Sequence, residues 1–295
     1  MSVRNIVKSI QDIMRQDAGV DGDAQRISQL VWMLFLKIFD DKEQEYEIDP
    51  RYASPIPARL RWRAWAANDE GMTGDELLGF INNDLFPSLK GLQFSAAADP
   101  RGFIVQDVFA DAYNYMKSGT LIRQVINKIN QIDFNSLHDR HLFNDLYEKI
   151  LRDLQSAGNA GEYDTPRAVT QFMVDVTDPR LDGVVLDPAC GTGGFLICAL
   201  EHIRGRCVHT TADAERLSRS IWGVEKKPLP HLLAVTNMIL HDVETPHVER
   251  DNALARRPHR DYSDRDIPAL RGGGTTTGFG AAGHVEHSAK PVQSG

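Results

Sequence analysis

Asp187, three closely spaced glycines and Glu225 are the residues whose types and spacing could hold a nucleotide-like ligand. Asp187 ends a short apolar run, Val184, Val185 and Leu186. It is followed by Pro188, Ala189, Cys190, Gly191, Thr192, Gly193, Gly194 and Phe195. A strand ending in an acid, then a glycine-rich turn, then a helix puts a ligand in the crevice beyond the carboxyl ends of parallel strands. Gly191, Gly193 and Gly194 let the backbone turn sharply and approach that ligand closely. Asp187 can accept from the amino group of an amino-acid-like ligand. Glu225 stands 38 positions further on, after the apolar run 221–224, and a carboxylate there can accept from both hydroxyls of a ribose. The turn is not G-x-G-x-x-G, which disfavours a nicotinamide dinucleotide, and no Gly-Lys-Ser/Thr follows, which excludes a Walker loop. A tight turn with packing glycines is the other reading of the same residues. Cys190 reads as a small filler of the turn, not a nucleophile. Three cysteines without C-x-x-C spacing fit a reduced compartment. His202, His209, His231 and His241 have no spacing that suggests a metal site.

The elements that must position these residues follow from periodicity. Residues 167–178 carry Val169, Phe172, Met173 and Val176 on one helical face, with Thr165 as N-cap and Pro166 at the first helical position. A strand at 184–186, a helix at 194–203, a second strand at 221–224 and a helix at 228–241 follow. This order predicts a parallel sheet covered on both faces. The first 155 residues read as helical. Ile27, Leu30, Val31, Leu34, Phe35 and Ile38 form one stripe, followed by the acidic run 40–47. Pro50, Pro55 and Pro57 mark a loop. Leu77, Leu78, Ile81 and Leu85 predict a helix that stops near Pro87. Val105, Val108, Phe109, Ala112 and Met116 predict another. Leu121, Val125, Ile126 and Ile129, then Leu142, Leu146, Ile150 and Leu154, supply the remaining stripes. The small residues of 156–161 read as a linker. Domains are therefore expected at 1–155 and 160–255. Residues 256–295, rich in Gly and Thr from Arg271, are expected to be disordered or an out-of-frame tail. No run of about 18 apolar residues occurs, so no membrane span is expected and the cytoplasm is the expected compartment. The net charge of −8 argues against a chain that coats nucleic acid by charge alone.

The string from Asp187 to Phe195 resembles the D-P-x-x-G-x-G-x-F/L motif of adenine-N6 DNA methyltransferases, specifically the modification subunit of type I restriction-modification systems. The segment Gly161, Glu162, Tyr163, Asp164, Thr165, Pro166 and Arg167 resembles that family's G-x-F/Y-F-T-P-R, with Asp164 in place of an aromatic. Gly223, Val224 and Glu225 resemble its G-x-E, and the resemblance spans about residues 3–255. It implies an N-terminal helical domain followed by an incomplete Rossmann-like S-adenosylmethionine-dependent methyltransferase sheet, an α/β fold. It implies S-adenosyl-L-methionine as cofactor, lined by Glu162, Tyr163, Asp164, Thr165, Pro166, Arg167, Thr192, Gly193, Gly194 and Glu225. Asp187 and Gly191 would shape the same loop. It implies DNA, a specificity subunit and a restriction subunit as partners. It also implies an N/D-P-P-F/Y loop that orients a flipped adenine. None of the 14 prolines follows another proline or an asparagine, so no catalytic residue is assigned and the chain as it stands is expected to be a truncated, inactive enzyme. A non-catalytic cofactor-binding or assembly module is the alternative.

Overall fold

A computed structural model of the chain describes residues 3–136, 165–255 and 276–278. The chain divides into two compact units, Met1–Tyr163 and Asp164–Gly295.

The first unit is helical. Its elements are α1 (Val3–Met14), α2 (Asp23–Tyr46), α3 (Trp62–Trp65), α4 (Gly74–Gly79), α5 (Phe86–Lys90), α6 (Pro100–Ala110) and α7 (Gly119–Ile129). The stripe on α2 is buried as its spacing predicts, but burial spreads around the helix: Gln29 to Leu36 are all buried. A helix buried on all sides is the centre of its bundle. The acidic run continues α2, and Asp40, Asp41 and Glu43 are buried. Each has partners. Arg63 Nε donates to Asp40 at 2.8 Å, Lys37 Nζ to Asp41 at 2.7 Å, and Tyr52 and Ser54 hydroxyls to Glu43 at 2.9 and 2.7 Å. Burial pushes the carboxyl groups of Asp41 and Glu43 above their ordinary range.

Two helical boundaries differ from expectation. The helix over Leu77 and Ile81 does not stop at Pro87. Residues 80–85 widen into a π-helical turn and α5 carries Pro87 in its first turn. The Phe86 N–H reaches the Ile81 carbonyl five residues back, so the proline ring meets a loosened turn instead of a closed α-helical one. Helix α6 ends at Ala110, and Ala112 and Met116 are buried from a non-helical segment. Gln29 takes over as partner there: its side-chain oxygen accepts from Tyr115 N–H at 2.8 Å and its amide donates to Asn114 at 3.0 Å. A second loop, around residues 65–72, is held by buried Arg123 of α7, which donates to the carbonyls of Trp65, Ala66, Asn68 and Met72 at 2.8–3.2 Å.

The second unit contains α8 (Arg167–Thr177), β1 (Val184–Asp187), α9 (Gly194–Cys207), α10 (Thr211–Ser220), β2 (Ile221–Glu225), α11 (Pro228–Leu240), β3 (His247–Arg250) and β4 (Thr276–Gly278). The strands pair in parallel in the order β3-β2-β1-β4. Val185, Asp187, Ile221 and Val248 are buried on one face, where Leu196 of α9 meets Gly223. On the other face, Trp222 stacks on His247 with ring centroids 4.4 Å apart. Disorder was expected from residue 256 onward, yet Thr276 and Thr277 pair with β1. Two β-branched residues are already extended, and the open edge of β1 offers unpaired N–H and C=O groups. The rest of that tail, and the stripe at residues 142–154, lie outside the described residues.

Helix α8 corrects two further expectations. Pro166 is the N-cap and Arg167 the first helical residue, and Thr165 lies one position before the cap, its carbonyl accepting from the Thr170 hydroxyl at 3.4 Å. An N-cap needs extended ψ, which Pro166 has at 137°. The expected apolar face points outward: Val169, Phe172 and Val176 are 45, 66 and 68% exposed, while Thr170 and Val174 are buried. Polar pairs set the rotation instead. Asp178 caps α8 at φ 42° and meets His202 Nε2 at 2.9 Å and Arg206 at 2.8 Å, and Asp175 meets His202 Nδ1 at 3.1 Å. The His202 hydrogen bond, with Arg180 and Arg206 adding to it, holds the Asp178 carboxyl down at about 2.

Candidate cofactor site

The glycine turn follows β1 directly, is fastened to β2 by one backbone bond and is closed on itself by another. Cys190 N–H donates to the Val224 carbonyl at 3.0 Å, and Gly193 N–H to the Cys190 carbonyl at 2.8 Å. Gly191 and Gly193 adopt φ of 55° and 84°, a region open to glycine at little cost. Gly193 is the N-cap of α9, so the helix starts directly from the turn. A side chain at Gly193 would also press within 3.4 Å of Ala234 on α11.

The turn brings the two expected acids to one place. Asp187 is 2% exposed and its Oδ1 accepts from Ala189 N–H at 3.1 Å. Glu225 spans the turn: its Oε2 accepts from Gly191 N–H at 3.0 Å and its Oε1 from Lys227 N–H at 2.7 Å. Burial, with the Glu225 charge adding to it, pushes the Asp187 carboxyl up to about 7 against the opposing Ala189 hydrogen bond. A buried acid poised near neutrality, beside a second carboxylate and at a strand end, favours a ligand that brings positive charge. Thr192 Oγ1 is buried and has no hydrogen-bond partner among the described residues. An orphan buried hydroxyl is open to a water or a polar ligand atom.

Cys190 is 6% exposed and burial pushes its thiol well above the ordinary value, so it is no ready thiolate. Its Sγ would sit 2.9 Å from a Cβ placed on Gly223. The need for glycine at 223 is a packing requirement that periodicity does not reveal. Its signal was the small residue two positions before the strand-end acid.

Thr165, Pro166 and Arg167 lie at the start of α8, where Arg167 Nη2 donates to Glu201 Oε2 at 2.6 Å. Glu162, Tyr163 and Asp164 lie outside the described residues. Among the described residues no group of His, Cys, Asp and Glu could hold a metal, and no helix is long and apolar enough to cross a membrane. His231 bonds the Val248 carbonyl at 3.0 Å, a structural role.

The N-6 DNA Methylase family model matches residues 138–267, over this acid–glycine–acid site, and the HsdM N-terminal domain model matches residues 3–129. The chain belongs to the N-6 DNA methylase family of type I modification subunits. It is 61% identical over 256 residues to the type I restriction enzyme EcoEI methylase subunit of Escherichia coli, which covers 86% of this chain and 52% of that relative. It is 27% identical over 232 residues to the EcoKI methylase subunit of Escherichia coli K12, over 74% of this chain and 39% of that one. A solved modification subunit of a type I enzyme from Vibrio vulnificus YJ016 superposes with a TM-score of 0.77 at 44% identity, over 89% of this chain and 58% of that chain. The chain thus spans about half the length of these type I relatives. The helical unit followed by a small parallel sheet is the family's architecture, an incomplete methyltransferase α/β fold.

Proposed function

We propose that the second unit binds S-adenosyl-L-methionine as the donor site of a DNA adenine-N6 methyltransferase of a type I restriction-modification system. The observation that carries this reading is the acid pair across the glycine turn, Asp187 and Glu225, joined through Gly191 and Cys190. The cofactor supplies an electrophilic methyl group. The residues of this chain bind and orient it. Asp187 accepts from the α-amino group and regains a counter-charge there. Glu225, held by the Gly191 and Lys227 N–H groups, accepts from the ribose hydroxyls through its remaining lone pairs. Thr192 offers its unpartnered hydroxyl, and Gly191, Gly193 and Gly194 leave room for close approach. Thr165, Pro166 and Arg167, at the start of α8, add to the lining. No residue of this chain is assigned to the methyl-transfer step itself, because no N/D-P-P-F/Y sequence occurs in it.

The partners in this reading are a specificity subunit, a restriction subunit and DNA, in the cytoplasm. A chain of net charge −8 gains its hold on DNA from its partners, since duplex affinity depends on Lys and Arg at phosphates. Ultraviolet crosslinking of tritiated S-adenosylmethionine to the full chain tests the donor site. The label should be displaced by S-adenosylhomocysteine and not by NAD or ATP. Displacement by either nucleotide at equal concentration would reassign the cofactor.

A further inference from the structure

Glu201 lies in the middle of α9, two turns beyond the glycine turn, and reaches two other helices. Its Oε2 accepts from Arg167 at the first position of α8, at 2.6 Å. Its Oε1 lies 3.3 Å from Nε2 of His241, the C-cap of α11. His241 is in turn held by its own helix and by α9: its Nδ1 lies 2.8 Å from the Asn237 carbonyl, and Arg204 donates to its backbone carbonyl. The His241 hydrogen bond, with His241, Arg167 and Arg204 charges adding to it, keeps the Glu201 carboxyl below its ordinary range. Each helix bears on the site. Helix α8 begins with Arg167, next to Thr165 and Pro166. Helix α9 begins at the turn itself. Helix α11 follows Glu225 by three residues and backs Gly193 with Ala234.

Helix α8 is held to α9 at its far end by a separate set of pairs, Asp175 and Asp178 with His202 and Arg206. The two fastenings have different consequences. The far one lies at the helix end remote from Arg167. The Glu201 fastening sets the first turn of α8 and the last turn of α11 against the helix that carries the glycine turn.

We propose that Glu201 is a positioning residue of the cofactor site, keeping α8 and α11 in register with the glycine turn. This rests on the cofactor reading above. A carboxylate that bridges two cationic or polar partners fixes geometry as well as charge, and ligand affinity falls when supporting contacts let a preorganised site relax.

The test is titration calorimetry of S-adenosylhomocysteine into the full chain, with thermal midpoints measured in parallel. Glu201→Ala should weaken binding about tenfold, the equivalent of one charge-assisted hydrogen bond. Glu201→Gln keeps an acceptor for Arg167 and a polar partner for His241, and should bind within about threefold of the parent. Asp178→Asn loosens the far fastening. It should lower the thermal midpoint at least as much as Glu201→Ala while leaving affinity within about twofold. Unchanged affinity in Glu201→Ala, equal losses in Glu201→Ala and Asp178→Asn, or no rescue by glutamine would each overturn the assignment alone. A parent chain that binds no S-adenosylhomocysteine would overturn the cofactor reading and this assignment with it.

Discussion

Asp187→Asn should stabilise the ligand-free chain and weaken cofactor binding in the same variant. The Asp187 carboxyl is pushed from its ordinary 3.8 up to about 7. Each unit corresponds to about 1.4 kcal/mol, so holding the ionised form folded costs up to about 4 kcal/mol. The folded chain binds this proton more tightly than the unfolded chain. The associated stability is complete below about pH 4, declines as pH rises toward 7 and is absent above it. Asparagine carries no charge to desolvate. Its thermal midpoint should match the parent at pH 4 and exceed it at pH 8. The cofactor's ammonium group loses its ionic partner in the same variant, so affinity at pH 8 should fall by about 1.5–3 kcal/mol. Calorimetric melting at the two pH values, with S-adenosylhomocysteine titrated at pH 8, checks both halves. A variant less stable than its parent at pH 8 would show that Asp187 serves the fold and not the ligand.

Arg123→Met should have the largest effect on the helical unit. The guanidinium is 5% exposed and donates to four carbonyls of one loop. Methionine reproduces the length of the stem and none of the donors. Charge-assisted hydrogen bonds are worth about 1.5–3 kcal/mol each, so even with half of the carbonyls recovered by water the loss is about 3 kcal/mol or more. For a unit of this size that lowers the thermal midpoint by about 6–12 °C. Lysine should rescue little, because a point charge cannot serve four acceptors spread around a planar fork. Alanine at exposed Arg15, paired with Asp12 at 2.6 Å, is the comparison, with a change within about 0.5 kcal/mol. A drop for Arg123→Met no larger than that would contradict the role given to Arg123 in holding the loop.

These two residues mark the limits of what the sequence discloses. Asp187 and Glu225 could be found because a strand end, a glycine turn and a second strand end leave a linear pattern. The helices of the first unit could be found because burial repeats every three to four residues. Arg123 left no pattern, since its partners are backbone carbonyls 51 to 58 positions away. The rotation of α8 was misjudged for a related reason. Its apolar residues suggested an inward face, but His202 and Arg206 on α9 capture Asp175 and Asp178 and turn Phe172 outward. Pro87 misled because a π turn ahead of it absorbs the ring. Glu201 carries no linear signal, because its partners lie on α8 and α11, 34 and 40 positions away.

Calorimetric titration of S-adenosylhomocysteine into the full chain and into Glu225→Ala at neutral pH decides whether the acid–glycine–acid turn is a donor site. Glu225 is held across the turn by Gly191 and Lys227 N–H groups, so alanine removes a preorganised acceptor for two hydroxyls. Saturable binding of one ligand per chain is expected in the parent. The variant should remain folded, with affinity lower by about 1–3 kcal/mol, roughly five- to 150-fold. Equal affinity in a folded Glu225→Ala chain, or no binding by the folded parent, would contradict the donor-site reading.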